Sequence, residues 1–348
     1  MSPSDLPFVT VIIPALNEEK YIAGCLTDIL DGTYPHERLE VLVVDGESDD
    51  RTAQIVQSFT ARHALVRLLR NPARVVPHAM NLGIREARGE LIVRMDAHAR
   101  YKPDYLRQLV QWMQRLGADN VGGVLITRPG SDTPQAGAVA AIMSHPLGVG
   151  PSLHRVGAAE PIETDTVPFG CYRRQVFTRI GGFDERFVRN QDDELNGRLK
   201  LAGGRIYLIP EIRIDFITRE SLGKMAHMLY QYGYFKPLVA LKLGRPATVR
   251  QLAPPIFTAA VLGLPLLFWT IPWTVYLWAA AIGAHGAISL GVSARQSRKR
   301  SWRLFPYLAC GFPLAHLAYG AGYLRGILDF VILRRHVRPG APEIPLSR

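Results

Sequence analysis

Directly after an apolar run at residues 91–95, Asp96 and His98 offer a carboxylate and an imidazole one residue apart. The run reads as a buried strand. Side chains alternate along an extended chain, so the two groups are expected on the same side. With diphosphate oxygens they would hold a hard cation, Mg²⁺ or Mn²⁺, the imidazole being better tolerated by Mn²⁺. An Asp at a strand end also serves as a turn or helix-capping residue, and the tripeptide alone does not separate the two roles.

Asp45-Gly46-Glu47-Ser48-Asp49-Asp50 puts four carboxylates in six residues. A solvated turn with a helix cap would account for most of them. Asp45, however, follows residues 41–44, a run apolar enough to be buried on both faces, which puts its carboxylate in a crevice within reach of a base or ribose. A third acidic cluster, Asn190-Gln191-Asp192-Asp193-Glu194-Leu195, follows the turn Gly181-Gly182-Phe183-Asp184-Glu185. Acidic residues suit the first turn of a helix through its dipole. The chemical alternative makes one of them the general base for an acceptor hydroxyl.

The scaffold follows from the runs that precede these clusters. Residues 8–16, 40–45 and 90–96 are short and β-branched-rich and are predicted as parallel strands. Residues 18–30 and 50–62 have helical spacing, the second helix with Ser48 or Asp49 as its cap. A fourth strand is expected over 121–127 and a loop over 129–133. Alternating strands and helices predict a doubly wound α/β sheet with ligands at the C-terminal strand ends. There Asn17 and Glu19, then Asp45, Ser48 and Asp50, then Asp96 and His98 converge.

Charge and hydropathy divide the chain. Its 41 Lys and Arg exceed its 30 Asp and Glu, a formal net charge of +11. The basic residues are not interleaved with stacking aromatics, which argues against nucleic acid as a partner, and many flank apolar runs where anionic lipid headgroups would attract them. Residues 252–294 contain no Asp, Glu, Lys or Arg, about twice the ~20 residues of a spanning helix. Residues 304–323 form a second uncharged run, and Arg325 and Asp329 interrupt its continuation, so residues 304–333 either cross the bilayer or lie on it.

By the positive-inside rule Arg295, Arg298, Lys299, Arg300 and Arg303 face the cytoplasm. The N-terminal residues do not read as a signal peptide, so the soluble part is expected on the same side of a cytoplasmic membrane. The expected organisation is a soluble domain at 1–220, a helical segment at 221–250 that lies in the interface or packs on that domain, two or three membrane helices within 251–334, and a tail at 335–348. Cys25, Cys171 and Cys310 are too few and scattered for a disulfide framework and are expected as free thiols.

Five segments together resemble one family: Val11-Ile12-Ile13-Pro14-Ala15-Leu16-Asn17-Glu18-Glu19, Val43-Val44-Asp45-Gly46-Glu47-Ser48-Asp49-Asp50-Arg51-Thr52, Arg94-Met95-Asp96-Ala97-His98-Ala99-Arg100-Tyr101, Glu163-Thr164-Asp165-Thr166-Val167-Pro168-Phe169-Gly170 and Asn190-Gln191-Asp192-Asp193-Glu194-Leu195. In order and spacing they are similar to the family-2 glycosyltransferases, and among these to the succinoglycan-type β-1,3-glucosyltransferases of bacterial exopolysaccharide assembly. The resemblance covers about residues 8 to 240. It implies a GT-A nucleotide-sugar-binding fold, a Rossmann-like mixed sheet flanked by helices, followed by C-terminal transmembrane helices.

The resemblance further implies roles for single residues. Pro14, Asn17, Glu19 and Asp45 would hold the nucleoside of a donor, a UDP-sugar above all. Asp96 and His98 stand where the family has its Asp-X-Asp metal motif, Asp192 takes the place of the catalytic base, and Asp193 and Glu194 open its helix. Glu163, Asp165, Gly170 and Gln191 would line the acceptor side, while Arg74 and Arg94 are candidates for diphosphate contact.

Three positions depart from the pattern: Gly46 replaces a second Asp, His98 the last Asp of the metal motif, and Gln191 the Glu that often precedes the base. Gln231-Tyr232-Gly233-Tyr234-Phe235-Lys236 stands in place of the Gln-X-X-Arg-Trp of processive synthases, which points to single sugar addition. The implied reaction is inverting transfer to a lipid-linked acceptor. The alternatives are a nucleotidyltransferase-like enzyme, for which residues 14–20 lack a Gly-rich phosphate loop, and a non-catalytic membrane scaffold.

Overall fold

Strands β1 (Val9–Ala15) and β2 (Leu39–Asp45) have almost every residue buried, so their backbone polar groups must pair with each other rather than with water. They do so in parallel, Val9 opposite Leu39 and Ala15 opposite Asp45. This is a computed structural model of the chain, and it describes residues 6–245 and 249–335. The expected tail lies outside these except for its first residue, as do the first five residues of the chain. The remaining strands are β3 (Val66–Arg70), β4 (Leu91–Arg94), β5 (Ala99–Tyr101), β6 (Asn120–Arg128), β7 (Ile162–Glu163), β8 (Cys171–Arg173) and β9 (Ile206–Ile217).

The sheet order is β3-β2-β1-β4-β8-β6-β9-β5, with β7 on β9. β3, β2, β1 and β4 run parallel, whereas β8 is antiparallel to both β4 and β6, and β5 and β7 are antiparallel to β9. The mixed α/β sheet that the family resemblance implied is therefore present, and its parallel half brings the ends of β1, β2 and β4 to one edge. The expected helices form as Ile22–Leu30 and Thr52–Thr60. The second is not capped by Ser48 or Asp49. Asp50 accepts from the Thr52 amide (2.9 Å) instead, because the Ser48 hydroxyl is engaged by Asp45.

The chain divides into two compact units. One comprises the chain up to Ile126 together with Gly157–Phe216, the other Thr127–Val156 together with the chain from Ile217 on. A single soluble domain at 1–220 was expected, but Thr127–Val156 departs from it. Beyond the loop at 129–133 the chain forms the helix Pro134–Met143, capped by Thr133. Its Ala, Val and Ile side chains are buried with Met225, Leu229, Leu308 and Phe312, which belong to the second unit.

In that second unit the helices Leu222–Leu243 and Phe305–Gly326 meet at backbone distance. A methyl group added at Gly233 would lie 2.0 Å from the Tyr319 carbonyl oxygen, and one at Gly322 would lie 2.0 Å from that of Tyr230. Small residues permit this approach, as at close helix crossings in lipid. The uncharged stretch at 252–294 does not fold as two long helices. Ala253–Gly263 is short and runs into a 3-10 turn at Leu264–Leu267, and only Thr274–Lys299, among the described residues, is long and apolar enough to cross a membrane by length and composition.

Glu40 ties the starts of the parallel strands together. Its fully buried carboxylate accepts from the Thr10 hydroxyl (2.6 Å), the Arg88 amide (2.6 Å) and the Arg88 Nε (2.9 Å), while Thr10 Oγ1 accepts from the Gly89 amide (2.8 Å). Burial alone would raise the Glu40 pKa, but these hydrogen bonds outweigh it and hold the group below the usual range. A depressed carboxylate pKa contributes stability that is present above the unfolded value of about 4.3 and is lost as the pH falls through the folded value. Glu40→Gln should therefore cost about 1–3 kcal/mol at neutral pH in thermal unfolding of the detergent-solubilised chain. The gap to wild type should narrow below about pH 4, and a gap independent of pH would contradict this role.

Candidate active site

Parallel register places Asp45 beside Ala15 and Arg94 beside Ile12, so the loops after β1, β2 and β4 leave the sheet together. The first two loops are laced to each other. The Asn17 amide donates to Ser48 Oγ (2.9 Å), Asn17 Oδ1 accepts from the Asp49 amide (2.8 Å), and the Glu19 amide donates to Asp50 (3.2 Å). The Asp45 carboxylate accepts from both the amide (3.1 Å) and the hydroxyl (2.6 Å) of Ser48. Asn17 and Asp45, expected at the nucleoside, thus shape one wall.

Several loop residues hold conformations that L side chains rarely adopt: φ is +57° at Asn17, +55° at Glu47, +60° at Arg74, +47° at Phe169 and +58° at Asn190. Such backbone is stable only where its surroundings over-determine it. The Gly46 departure has a steric reason, since a Cβ there would come within 3.4 Å of the Arg74 Cα, the Leu16 Cβ and the Ala15 carbonyl oxygen. Pro14 lies within β1 opposite Val44. Arg74 pairs with Asp49 (2.7 Å) at the surface, and Glu19 pairs with Arg51 (3.2 Å).

The extended geometry expected for Asp96 and His98 is not formed. β4 ends at Arg94, residues 97–98 turn into β5, and the two side chains go to different partners. His98 Nδ1 lies 3.1 Å from Glu18 Oε1, with its ring edge-on to Phe216. Asp96 is held through its backbone by Tyr101, whose hydroxyl accepts from the Asp96 amide (2.8 Å), and through its carboxylate by Arg94. Among the described residues no three His, Cys, Asp or Glu side chains converge on one point. The single Asp96 carboxylate fits a cation that takes most of its ligands from diphosphate and water, and does not fit a cation caged by protein.

Arg94 is the centre of the site. Its Nε and Nη2 donate to Asp96 Oδ1 (2.9 Å) and Oδ2 (3.3 Å), and its Nη1 donates to both oxygens of Asp192 (2.8 and 2.7 Å). Only 8% of its side chain is exposed, and the guanidinium lies over the Phe169 ring. Burial works against its charge, but Asp192 and Asp96 more than compensate and hold it firmly protonated. At Asp192 burial pushes the pKa up, Arg94 pulls it down, and Asp96 and Asp193 push it up again. The net result lies above the ordinary aspartate range.

Asp192 sits in the first turn of the helix Gln191–Leu201. Glu194, two residues on, is fully buried against Arg198 (2.5 Å), and Arg198 also donates to the carbonyls of Ile180 and Gly182, fixing the preceding glycine turn. Asn196 locks the same helix to the sheet, accepting from Asn120 (2.9 Å) and the Tyr172 hydroxyl (3.1 Å) and donating to Thr166 (2.9 Å).

Of the expected acceptor-side residues, Gly170 and Gln191 lie close to this centre in the chain. The Gly170 carbonyl accepts from the Arg94 amide (3.2 Å), and buried Gln191 adjoins Asp192. Asp165 accepts from Thr164, and Glu163 stands on edge strand β7 in surface ion pairs with Lys200 (2.5 Å) and Arg205 (3.9 Å). Tyr101 and Asn196 were not singled out from the sequence, and Glu18 only as part of the loop at 17–19. Tyr101 and Glu18 lie within quoted segments, but the partners of Glu18 and Asn196 are too distant in sequence to signal them.

The chain is 30% identical over 324 residues to the succinoglycan biosynthesis protein ExoA of Rhizobium meliloti, covering 92% of this chain and 95% of that one. The model of the family described as "Glycosyl transferase family 2" matches residues 10–181. The chain belongs to glycosyltransferase family 2. A second relative, 31% identical over 68% of this chain and 74% of its own length, is the dolichyl N-acetyl-alpha-D-glucosaminyl phosphate 3-beta-D-2,3-diacetamido-2,3-dideoxy-beta-D-glucuronosyltransferase of Methanococcus voltae.

Among solved structures, the mannosyltransferase PcManGT of Pyrobaculum calidifontis, in complex with GDP-Man and Mn²⁺, superposes with a TM-score of 0.59 at 25% identity, covering 94% of this chain and 89% of that one. The GT-A sheet is thus shown, and this family-2 chain is a glycosyltransferase.

The geometry sets an expectation for the two adjacent carboxylates. Asp192→Asn should lower kcat about 10²- to 10⁴-fold with donor affinity near wild type, because the amide cannot accept a proton. Asp193→Asn should cost far less. If Asp192 is the base, the acid limb of kcat in wild type should fall above the free aspartate value of about 3.9, since the raised pKa keeps this carboxylate protonated to higher pH. A dead Asp193→Asn beside an active Asp192→Asn would assign the base to Asp193.

Proposed function

We propose that the chain transfers a hexose such as glucose, with inversion, from a nucleotide sugar, a UDP-sugar above all, to a lipid-linked acceptor in polysaccharide or glycolipid synthesis. The observation that carries this reading is the half-buried Asp192 carboxylate at the head of its helix, held by the same guanidinium that holds Asp96. One carboxylate fixed in place with a raised pKa suits direct displacement, in which it accepts the proton of the attacking hydroxyl. Attack from the face opposite the leaving nucleoside diphosphate gives a β-linkage from an α-linked donor.

Asp45 and the laced loop carrying Asn17 would receive the nucleoside. Asp96, with His98, would hold a divalent cation, which when bound stabilises the charge on the departing diphosphate. The Mn²⁺ in the mannosyltransferase neighbour supports use of a divalent cation, and the dolichyl phosphate in the name of the Methanococcus relative supports a lipid-linked acceptor.

The second unit supports work at a membrane. Trp269 is 95% exposed, Leu266 80% and Tyr276 76%, far more apolar surface than water tolerates without a partner. The helix Thr274–Lys299 rises about 39 Å and ends in Arg295, Arg298 and Lys299, and by the positive-inside rule a basic end supports a cytoplasmic-membrane protein with its catalytic unit facing the cytoplasm.

Incubating membranes that contain the chain with radiolabelled nucleotide sugars should move label from a UDP-hexose into the lipid extract. EDTA should abolish transfer, and Mn²⁺ or Mg²⁺ should restore it. Label reaching no lipid from any donor would overturn the reading, and transfer undiminished by chelator would remove the cation from it.

A further inference from the structure

Arg94 was expected to contact diphosphate, yet its nitrogens are committed elsewhere. Two edges of a planar fork face two carboxylates, Nε and Nη2 toward Asp96 and Nη1 toward Asp192. The group of three carries one positive and two negative charges, a poor receptor for another anion. Its side chain is buried under Phe169, its backbone amide is fixed to the Gly170 carbonyl, and Asp96 is fixed in turn by Tyr101. Because a guanidinium is rigid, the carboxylates on its two edges are held at a set spacing and orientation.

We infer that Arg94 is a positioning residue for the transfer reaction, orienting the Asp192 base and fixing its place relative to Asp96 on the donor side. This rests on the glycosyltransferase reading with Asp192 as base. Nη1 lies within hydrogen-bond distance of both oxygens of Asp192 and so anchors the carboxylate in place, while its about four lone-pair sites leave others for the acceptor hydroxyl. Lysine carries the charge but not the fork. It reaches one carboxylate as a point charge and leaves the other to turn. A misplacement of about 1 Å at a reacting group can cost on the order of 100-fold in rate.

The test combines kinetics with donor-product binding in the full-length chain. Arg94→Lys, which keeps a buried cation and guards against misfolding, and Arg94→Gln should each lower kcat about 100-fold. Affinity for the nucleoside diphosphate alone, measured by titration calorimetry in EDTA so that Asp96 cannot act through a cation, should stay within about two-fold, the range in which independent sites add.

In an Asp192→Asn background, Arg94→Lys should cost no more than about two-fold further, because there is no base left to orient. Losses that multiply in the double variant, or a nucleoside diphosphate affinity that falls as far as kcat, would overturn the role and return Arg94 to the diphosphate. A wild-type chain that transfers no sugar would instead overturn the reading beneath it.

Discussion

A guanidinium removed from water must find anions, and in this protein that requirement organises the catalytic unit. Arg94 is carried inward at the end of β4, between β1 and β8, and its burial is tolerable only because Asp96 and Asp192 both arrive there. Removing one member would leave an uncompensated buried charge, which is more costly than never having built the group. Everything that locates Asp192 therefore bears on Arg94 as well: the Glu194–Arg198 clamp, the Asn196 network and the glycine turn before the helix.

The loops after β1 and β2, proposed to receive the nucleoside, follow a different rule. Their polar atoms satisfy one another across the two loops, Asn17 with Ser48 and Asp49, Glu19 with Asp50, and Asp45 with Ser48. Loops joined in this way, with φ values near +55° at Asn17 and Glu47, form a wall that exists before a ligand arrives. Preorganisation of that kind lowers the ordering cost of binding.

What the sequence made legible, and what it did not, has a physical basis. β1, β2, β4 and β6 were readable because burial on both faces leaves continuous apolar runs. β5, β7 and β8 have three, two and three residues, too few for any period to show. The candidate carboxylates were visible because acidic residues stood at strand and helix ends. Their partners were not: Arg94 meets Asp192 across 98 residues and His98 meets Glu18 across 80, contacts that only the folded sheet creates. The helix Pro134–Met143 was passed over because its small apolar residues follow a polar loop, and it joins the C-terminal unit only through tertiary packing.

One fixed carboxylate, Asp192, is proposed to serve as the base for a single displacement at the anomeric carbon. The anomeric configuration of the first product formed from an α-linked nucleotide sugar, read by proton NMR from the coupling at the new glycosidic centre, tests it most directly. A β-linkage is expected. An α-linked product would require two displacements or front-face attack, and would contradict the assignment of Asp192 as the base of an inverting transfer.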